Sequence, residues 1–261
     1  MIVARRRFGQ HFLHDPGVRS RIVAAVDPQP GDHLVEIGPG PGAITEGLIA
    51  AAGRLDAIEI DRDLAASLAA RFGARLRLHT CDALDFDFRA LAVERGGALR
   101  VIGNLPYNIS TPLLFHLLES IDHLIDLHVM LQKEVVDRMA ALPGDDAYGR
   151  LTVMLAPRLE ITHLFDVGPG AFQPPPRVWS AVARLTVLPE PRFAVPPAYA
   201  AVVAAAFAQR RKTVRNSLRA LLDADDIAAC GIDPGARPET LSPRQFAALA
   251  ALAPVHGAVI P

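Results

Sequence analysis

Asn104-Leu105-Pro106-Tyr107 closes the apolar run Ala98 to Gly103 and opens onto Asn108-Ile109-Ser110-Thr111-Pro112. These residue types suit one difficult piece of chemistry. The exocyclic amine of a purine or cytosine is a poor nucleophile because its lone pair is delocalised into the ring. The Asn104 side-chain oxygen and a main-chain carbonyl of Leu105 or Pro106 can accept both N–H bonds, drawing the nitrogen toward tetrahedral geometry and freeing the lone pair. Pro106 restricts Leu105 to extended backbone and has no N–H, so the turn presents acceptors rather than donors. Tyr107 offers a flat face on which a base can stack. An ordinary loop can also be built from these residues, Asn-x-Pro being a common turn, and the rest of the chain decides between the two.

The elements that must hold this turn are legible as alternating strands and helices. Asp15-Pro16 caps a helix running to about Val26. Strands follow at His33–Ile37, Leu55–Ile60 and Leu76–His79, then one ending at Asn104 and one at Leu127–Leu131. Asp61 caps the helix after the second strand. This spacing predicts an α/β fold, a mostly parallel sheet with helices on both faces, whose carboxyl edge carries the chemistry. Pro143 to Gly149 reads as a mobile loop. A helix from Arg150 and two longer strands, Glu160–Asp166 and Val178–Leu188, suggest an antiparallel edge. Pro189, Pro191, Pro196 and Pro197 mark a linker, beyond which helices are predicted at about 198–209, 211–222 and 242–252. The expected division is a domain over 1–190 and a small all-helical one over 191–261.

The formal net charge is only -1, yet Arg5, Arg6 and Arg7 open the chain and Arg210, Arg211, Lys212, Arg215 and Arg219 fall in one short stretch without an acid. Such local patches are the electrostatic footprint of a nucleic-acid partner, although a charge run can equally be a solvated helix face. Cys81 and Cys230 stand alone, which disfavours a zinc site or disulfide framework and favours a reducing compartment. The arginines are not followed by an apolar segment, and the longest apolar stretch, Ala198 to Ala208, is too short to span a bilayer. A cytoplasmic protein without membrane or metal is the expectation, and nothing in the sequence demands a dimer.

Gly38-Pro39-Gly40-Pro41-Gly42-Ala43 meets the loose dinucleotide pattern, with Glu59 at the distance where an acid would hold ribose hydroxyls. Pro39 and Pro41, however, remove two of the main-chain N–H groups that would cradle a pyrophosphate. A cofactor with ribose and adenine but no phosphate loses nothing, and S-adenosylmethionine is the commonest. Glu59 would accept from the ribose and Asp82, at the end of the third strand, from the adenine amine. Each feature has a plain structural alternative, glycines for close packing and Asp82 as a helix cap, but three at successive strand ends point to a cofactor beside Asn104.

The sequence resembles the KsgA (RsmA) family of small-subunit rRNA adenine dimethyltransferases over nearly its whole length. The resemblance is carried by Phe8-Gly9-Gln10-His11-Phe12-Leu13, Val35 to Gly40, Ile58 to Asp61, Asn104 to Ser110, Phe172 to Val178 and Phe207 to Asn216. It implies a Rossmann-like class I methyltransferase domain with a helical C-terminal domain, and dimethylation at N6 of two adjacent adenosines near the 3′ end of 16S rRNA, in the small subunit or its precursor, with S-adenosylmethionine as donor. It implies that His11, Leu13, Gly38, Glu59, Asp82 and Asn104 contact the cofactor, Asn104 also facing the target amine. His11 departs from the usual Asn but can still donate to the methionine carboxylate. Trp179 replaces a more usual acid, and packing is its expected role. Phe172, at the head of a proline-locked segment, is expected to face Tyr107 across an adenine drawn out of its stack. Arg210, Arg211, Lys212 and Arg215 would hold phosphates in a cleft between the domains. The alternatives are an Erm-type large-subunit adenine methyltransferase, a DNA adenine methyltransferase, a non-catalytic small-subunit assembly factor and, disfavoured by the prolines, a nicotinamide oxidoreductase.

Overall fold

The computed structural model describes residues 10–209 and 211–254. They form two compact units, one of residues up to Val136 with Ile161–Val187, the other of Asp137–Glu160 with the residues from Leu188 onward. The strands are β1 (Phe12–Leu13), β2 (His33–Ile37), β3 (Leu55–Ile58), β4 (Leu76–His79), β5 (Leu99–Asn104), β6 (Leu124–Gln132), β7 (Leu159–Val167), β8 (Phe172–Gln173) and β9 (Ser180–Val187). The helices between them are α1 (Pro16–Val26), α2 (Thr45–Ala52), α3 (Arg62–Phe72), α4 (Phe88–Arg95), α5 (Ser110–Glu119), α6 (Lys133–Ala140) and α7 (Arg150–Leu155).

Seven strands form one sheet in the order β4-β3-β2-β5-β6-β9-β7, while β1 and β8 pair separately. From β4 through β6 all pairings are parallel, and β9 runs antiparallel to β6. Four consecutive residues of β2, Leu34 to Ile37, are buried, as expected of a parallel strand covered on both faces. One cover is a cluster in which Leu48, Ile49, Leu68 and Phe72 from α2 and α3 pack on Leu34, Ile102 and Met130. Asp15 and Asp61 start α1 and α3 by accepting from Val18 N at 2.8 Å and Asp63 N at 3.0 Å. Strand order reverses between β2 and β5, so the crevice at their carboxyl ends is the topological switch point. The register sets Glu36 opposite Ile102 and Gly103 opposite Ile37, so the loop after β2 and the turn after β5 leave the sheet side by side.

The second unit is helical, with α8 (Tyr199–Phe207), α9 (Val214–Leu218), α10 (Ala224–Ala229) and α11 (Pro243–Leu252). The single helix expected over 211–222 is corrected to the short α9, and α10 is added. Asp223 ends any continuation by capping α10, accepting from Asp225 N and Asp226 N. Segment 137–158, ahead of β7, belongs with these helices instead of with the sheet. Tyr148 and Val153 are part of their core, Tyr148 Oη donating to Leu241 O at 2.7 Å and Tyr199 Oη to Val153 O at 2.9 Å. The stretch read as a mobile loop is tied by Gly144 N to Glu239 O at 2.8 Å and Tyr148 N to Asp145 O at 3.0 Å.

Candidate active site

The first unit holds a cavity of about 340 Å³ at the β2/β5 switch point, within the usual size of a small-molecule site. The sequence-predicted residues His11, Leu13, Gly38, Glu59, Asp82 and Asn104 to Tyr107 all line it. Gly38 and Gly40 hold positive φ (65° and 57°), which lets the loop after β2 fold back under the cavity. Gly40 N donates to Glu59 Oε2 at 3.1 Å and Asp61 N to Oε1 at 2.9 Å, so the Glu59 carboxylate is fixed at the end of β3. Burial nonetheless raises the Glu59 pKa, against these two backbone bonds. Asp82 Oδ1 accepts from Leu84 N at 3.0 Å, so this side chain caps its own turn while facing the cavity.

Asn104 lies at the last position of β5, on the sheet face shared by Glu36 and Ile102. Its Nδ2 donates to His11 O at 3.1 Å, leaving Oδ1 as the acceptor end of the amide. Pro106 O already accepts from Ile109 N at 3.2 Å, which favours Leu105 O as the second acceptor of the turn. Tyr107 shares a 2.7 Å hydrogen bond with Ser180, and burial pushes its phenol above the ordinary range, so the ring is anchored and neutral. The ring facing Tyr107 is His11, stacked with centroids 5.7 Å apart and 26° between planes. His11 Nδ1 donates to Pro174 O at 2.8 Å, which leaves Nε2 for a ligand.

Phe172 requires a correction. It is 1% exposed, lies in the core with Leu13, its partner in the β1/β8 pair, and does not line the cavity. Its ring is therefore spent on packing in this conformation, not turned toward Tyr107. Arg211, Lys212 and Arg215 are exposed on the second unit, and Arg210 lies outside the described residues.

Two acid-base groups of the cavity were not assigned from sequence. Glu36 is buried and accepts from Thr45 Oγ1 at 2.6 Å; burial, despite that bond and with Glu59 adding to it, holds its carboxyl up to about 8. His128 is 2% exposed, and its Nε2 has no hydrogen-bond partner among the described residues. Both share a face with Asn104 through the register that sets Glu36 and His128 beside Ile102, which no local sequence pattern displays. The lining contains Glu59 and Asp82, with Glu36 keeping its proton near neutral pH, and no Lys or Arg among the described residues. Such a cavity suits a cationic ligand with hydroxyl and amine donors and disfavours a pyrophosphate.

A family model described as ribosomal RNA adenine dimethylase matches residues 1–253. The chain belongs to that family. Among relatives of this adenine dimethylase, the ribosomal RNA small subunit methyltransferase A of Methylococcus capsulatus is 56% identical over 255 residues, covering 95% of this chain and 96% of its own. The protein of the same name from Pseudomonas aeruginosa is 54% identical, with 95% and 93% covered. Among solved structures, the 23S rRNA methyltransferase ErmE is similar with a TM-score of 0.70 and 25% identity, over 93% of this chain and 99% of that one. A dimethyladenosine transferase from Plasmodium falciparum shares the fold at a TM-score of 0.75 and 24% identity, over 92% and 96%. The mixed seven-stranded sheet with its helices is thus the class I methyltransferase fold, and the dimethylase acts on ribosomal RNA adenine. Among the described residues no helix is long and apolar enough to cross a membrane, and no group of three His, Cys, Asp or Glu could hold a metal ion.

Proposed function

We propose that this dimethylase transfers methyl groups from S-adenosylmethionine to N6 of two adjacent adenosines near the 3′ end of 16S rRNA, in the small subunit or its precursor, as part of subunit biogenesis. Cytoplasmic location and action as a monomer belong to the same reading. The observation that carries it is the Asn104 amide, whose nitrogen is held by His11 O and whose oxygen remains to accept from an amine. Relatives above 50% identity bearing the small-subunit name favour that subunit over the large one.

The cavity fits the cofactor by its volume, by its Glu59 and Asp82 acceptors, and by a lining that, among the described residues, has no Lys or Arg and holds an unpartnered His128 Nε2. S-adenosylmethionine, when bound, supplies a methyl group made electrophilic by a sulfonium. Glu59 would accept from the ribose hydroxyls and Asp82 from the adenine amine, while His11 Nε2, Leu13 and Gly38 would hold the methionine end. Asn104 Oδ1 and Leu105 O accept the two N–H bonds of the target, and Tyr107 stacks on its ring. Alignment provides most of the acceleration, and no strong base is required, because the ammonium-like product loses its proton to water. Arg210, Arg211, Lys212 and Arg215 would contact phosphates.

The test is transfer of labelled methyl to unmethylated small subunits and, separately, to large subunits, followed by nucleoside analysis. Dimethyladenosine on the small subunit alone is expected. Label on the large subunit would move the assignment to the Erm type, and tight binding without transfer to an assembly factor.

A further inference from the structure

Trp179 is the one tryptophan of the chain, and it is 56% exposed beside Val178 at 44%. An indole left in water without function is unusual, since its area favours burial. Its backbone is firmly placed. Trp179 O accepts from Lys133 N at 2.9 Å, and the next residue, the fully buried Ser180, pairs with Gln132 and holds the Tyr107 hydroxyl. The ring is placed as well. Its benzo edge lies 3.6 to 4.0 Å from where a Cβ on Gly168 would stand. Arg177, two residues earlier, is exposed and supplies a cation on the same segment.

We propose that Trp179 is a stacking platform for an unpaired nucleotide flanking the target adenosine, with Arg177 on the adjoining phosphate. The inference rests on the RNA-adenine reading above. The chain runs from Trp179 through Ser180 to the Tyr107 hydroxyl, so the platform is one residue removed from the group that anchors the target's stacking ring. A target drawn out of its stack leaves a neighbour exposed, and an aromatic face accepts any base. The surface is aromatic and cationic instead of purely apolar, which suits a nucleotide. Trp179 is thus a positioning residue that acts on substrate binding.

The test compares Trp179→Ala and Trp179→Phe with the unsubstituted protein on unmethylated small subunits. The alanine variant is expected to raise KM for the subunit about ten-fold with kcat within two-fold and the melting temperature nearly unchanged, and phenylalanine to restore most of the loss. Since Trp179 is the sole tryptophan, its emission is expected to be quenched by an oligoribonucleotide hairpin whose loop carries two adjacent adenosines. An alanine variant with normal KM overturns the proposal, as does a lower melting temperature with KM unchanged, the mark of a mere cover for Gly168. Emission unchanged at hairpin concentrations that saturate the protein in filter binding overturns it too. Failure of the unsubstituted protein to methylate small subunits refutes the parent reading and the platform with it.

Discussion

Asn104 Nδ2 donates to the main-chain oxygen of His11 at 3.1 Å, so a residue 93 positions earlier dictates which end of the carboxamide faces the cavity. The acceptor on His11 is main chain, so the orientation of the carboxamide does not depend on which side chain stands at position 11. Asn104→Ala removes the acceptor proposed to face the target amine, and turnover at saturating cofactor and subunit is expected to fall about a hundred-fold, by analogy with loss of one preorganised hydrogen-bond partner. Asn104→Asp should not rescue it, since a carboxylate presents an acceptor to the His11 oxygen. Single-turnover methyl transfer checks both, and near-normal rates in the alanine variant would remove Asn104 from the chemistry.

The exposed Arg211, Lys212 and Arg215 are expected to act through phosphate neutralisation. Binding to small subunits should weaken steeply with salt, and each Ala substitution should make the log–log slope shallower by about 0.7 to 0.9, the contribution of one phosphate contact. Filter binding over a salt series measures it. Slopes that stay unchanged would assign these side chains to a solvated surface.

The buried Glu36 makes stability depend on pH in a definite direction. Its folded-state pKa, about 8, lies above the unfolded value of 4.5. The folded state therefore keeps a proton that the unfolded state has lost, and stability falls as pH rises between these values. Glu36→Gln keeps the acceptor for Thr45 and removes the titration. The two proteins should melt alike near pH 4.5, and the variant should gain over the parent by about 1 kcal/mol per pH unit toward pH 8. Parallel melting curves across that range would mean that Glu36 is already ionised when folded.

What the sequence made legible follows from the range of the interactions involved. Strands β2 to β6 stand out because each is an apolar run between turn residues, and the site residues at their carboxyl ends come with them. The two-residue strands β1 and β8 are too short to carry a period. Their pairing turns Phe172 inward against Leu13, which no local pattern foretells. Tyr148 likewise reads as loop because its partner, Leu241 O, is 93 residues away. Glu36 and His128 escaped because a polar residue inside an apolar strand looks the same whether it faces a core or a cavity.

Gly103 offers a test of how the cavity is framed. A Cβ there would stand 2.8 Å from Ile37 O, which is backbone, and 2.8 Å from a Leu105 methyl. The backbone oxygen cannot withdraw, because β2 is fixed between β3 and β5 in parallel register. Gly103→Ala must therefore push β5 from β2 and carry Asn104 with it. The expected destabilisation is about 2 kcal/mol or more, a fall in melting temperature of about 5 °C or more. Transfer should drop as well, since a displacement of order 1 Å at the reacting group can cost about a hundred-fold. Gly170 is the control. An added Cβ there meets nothing within 4 Å, and its φ lies outside the left-handed region. Gly170→Ala should melt within about 0.5 kcal/mol of the parent and transfer methyl normally. Equal behaviour of the two variants would show that the close approach of β5 to β2 does not set the position of Asn104.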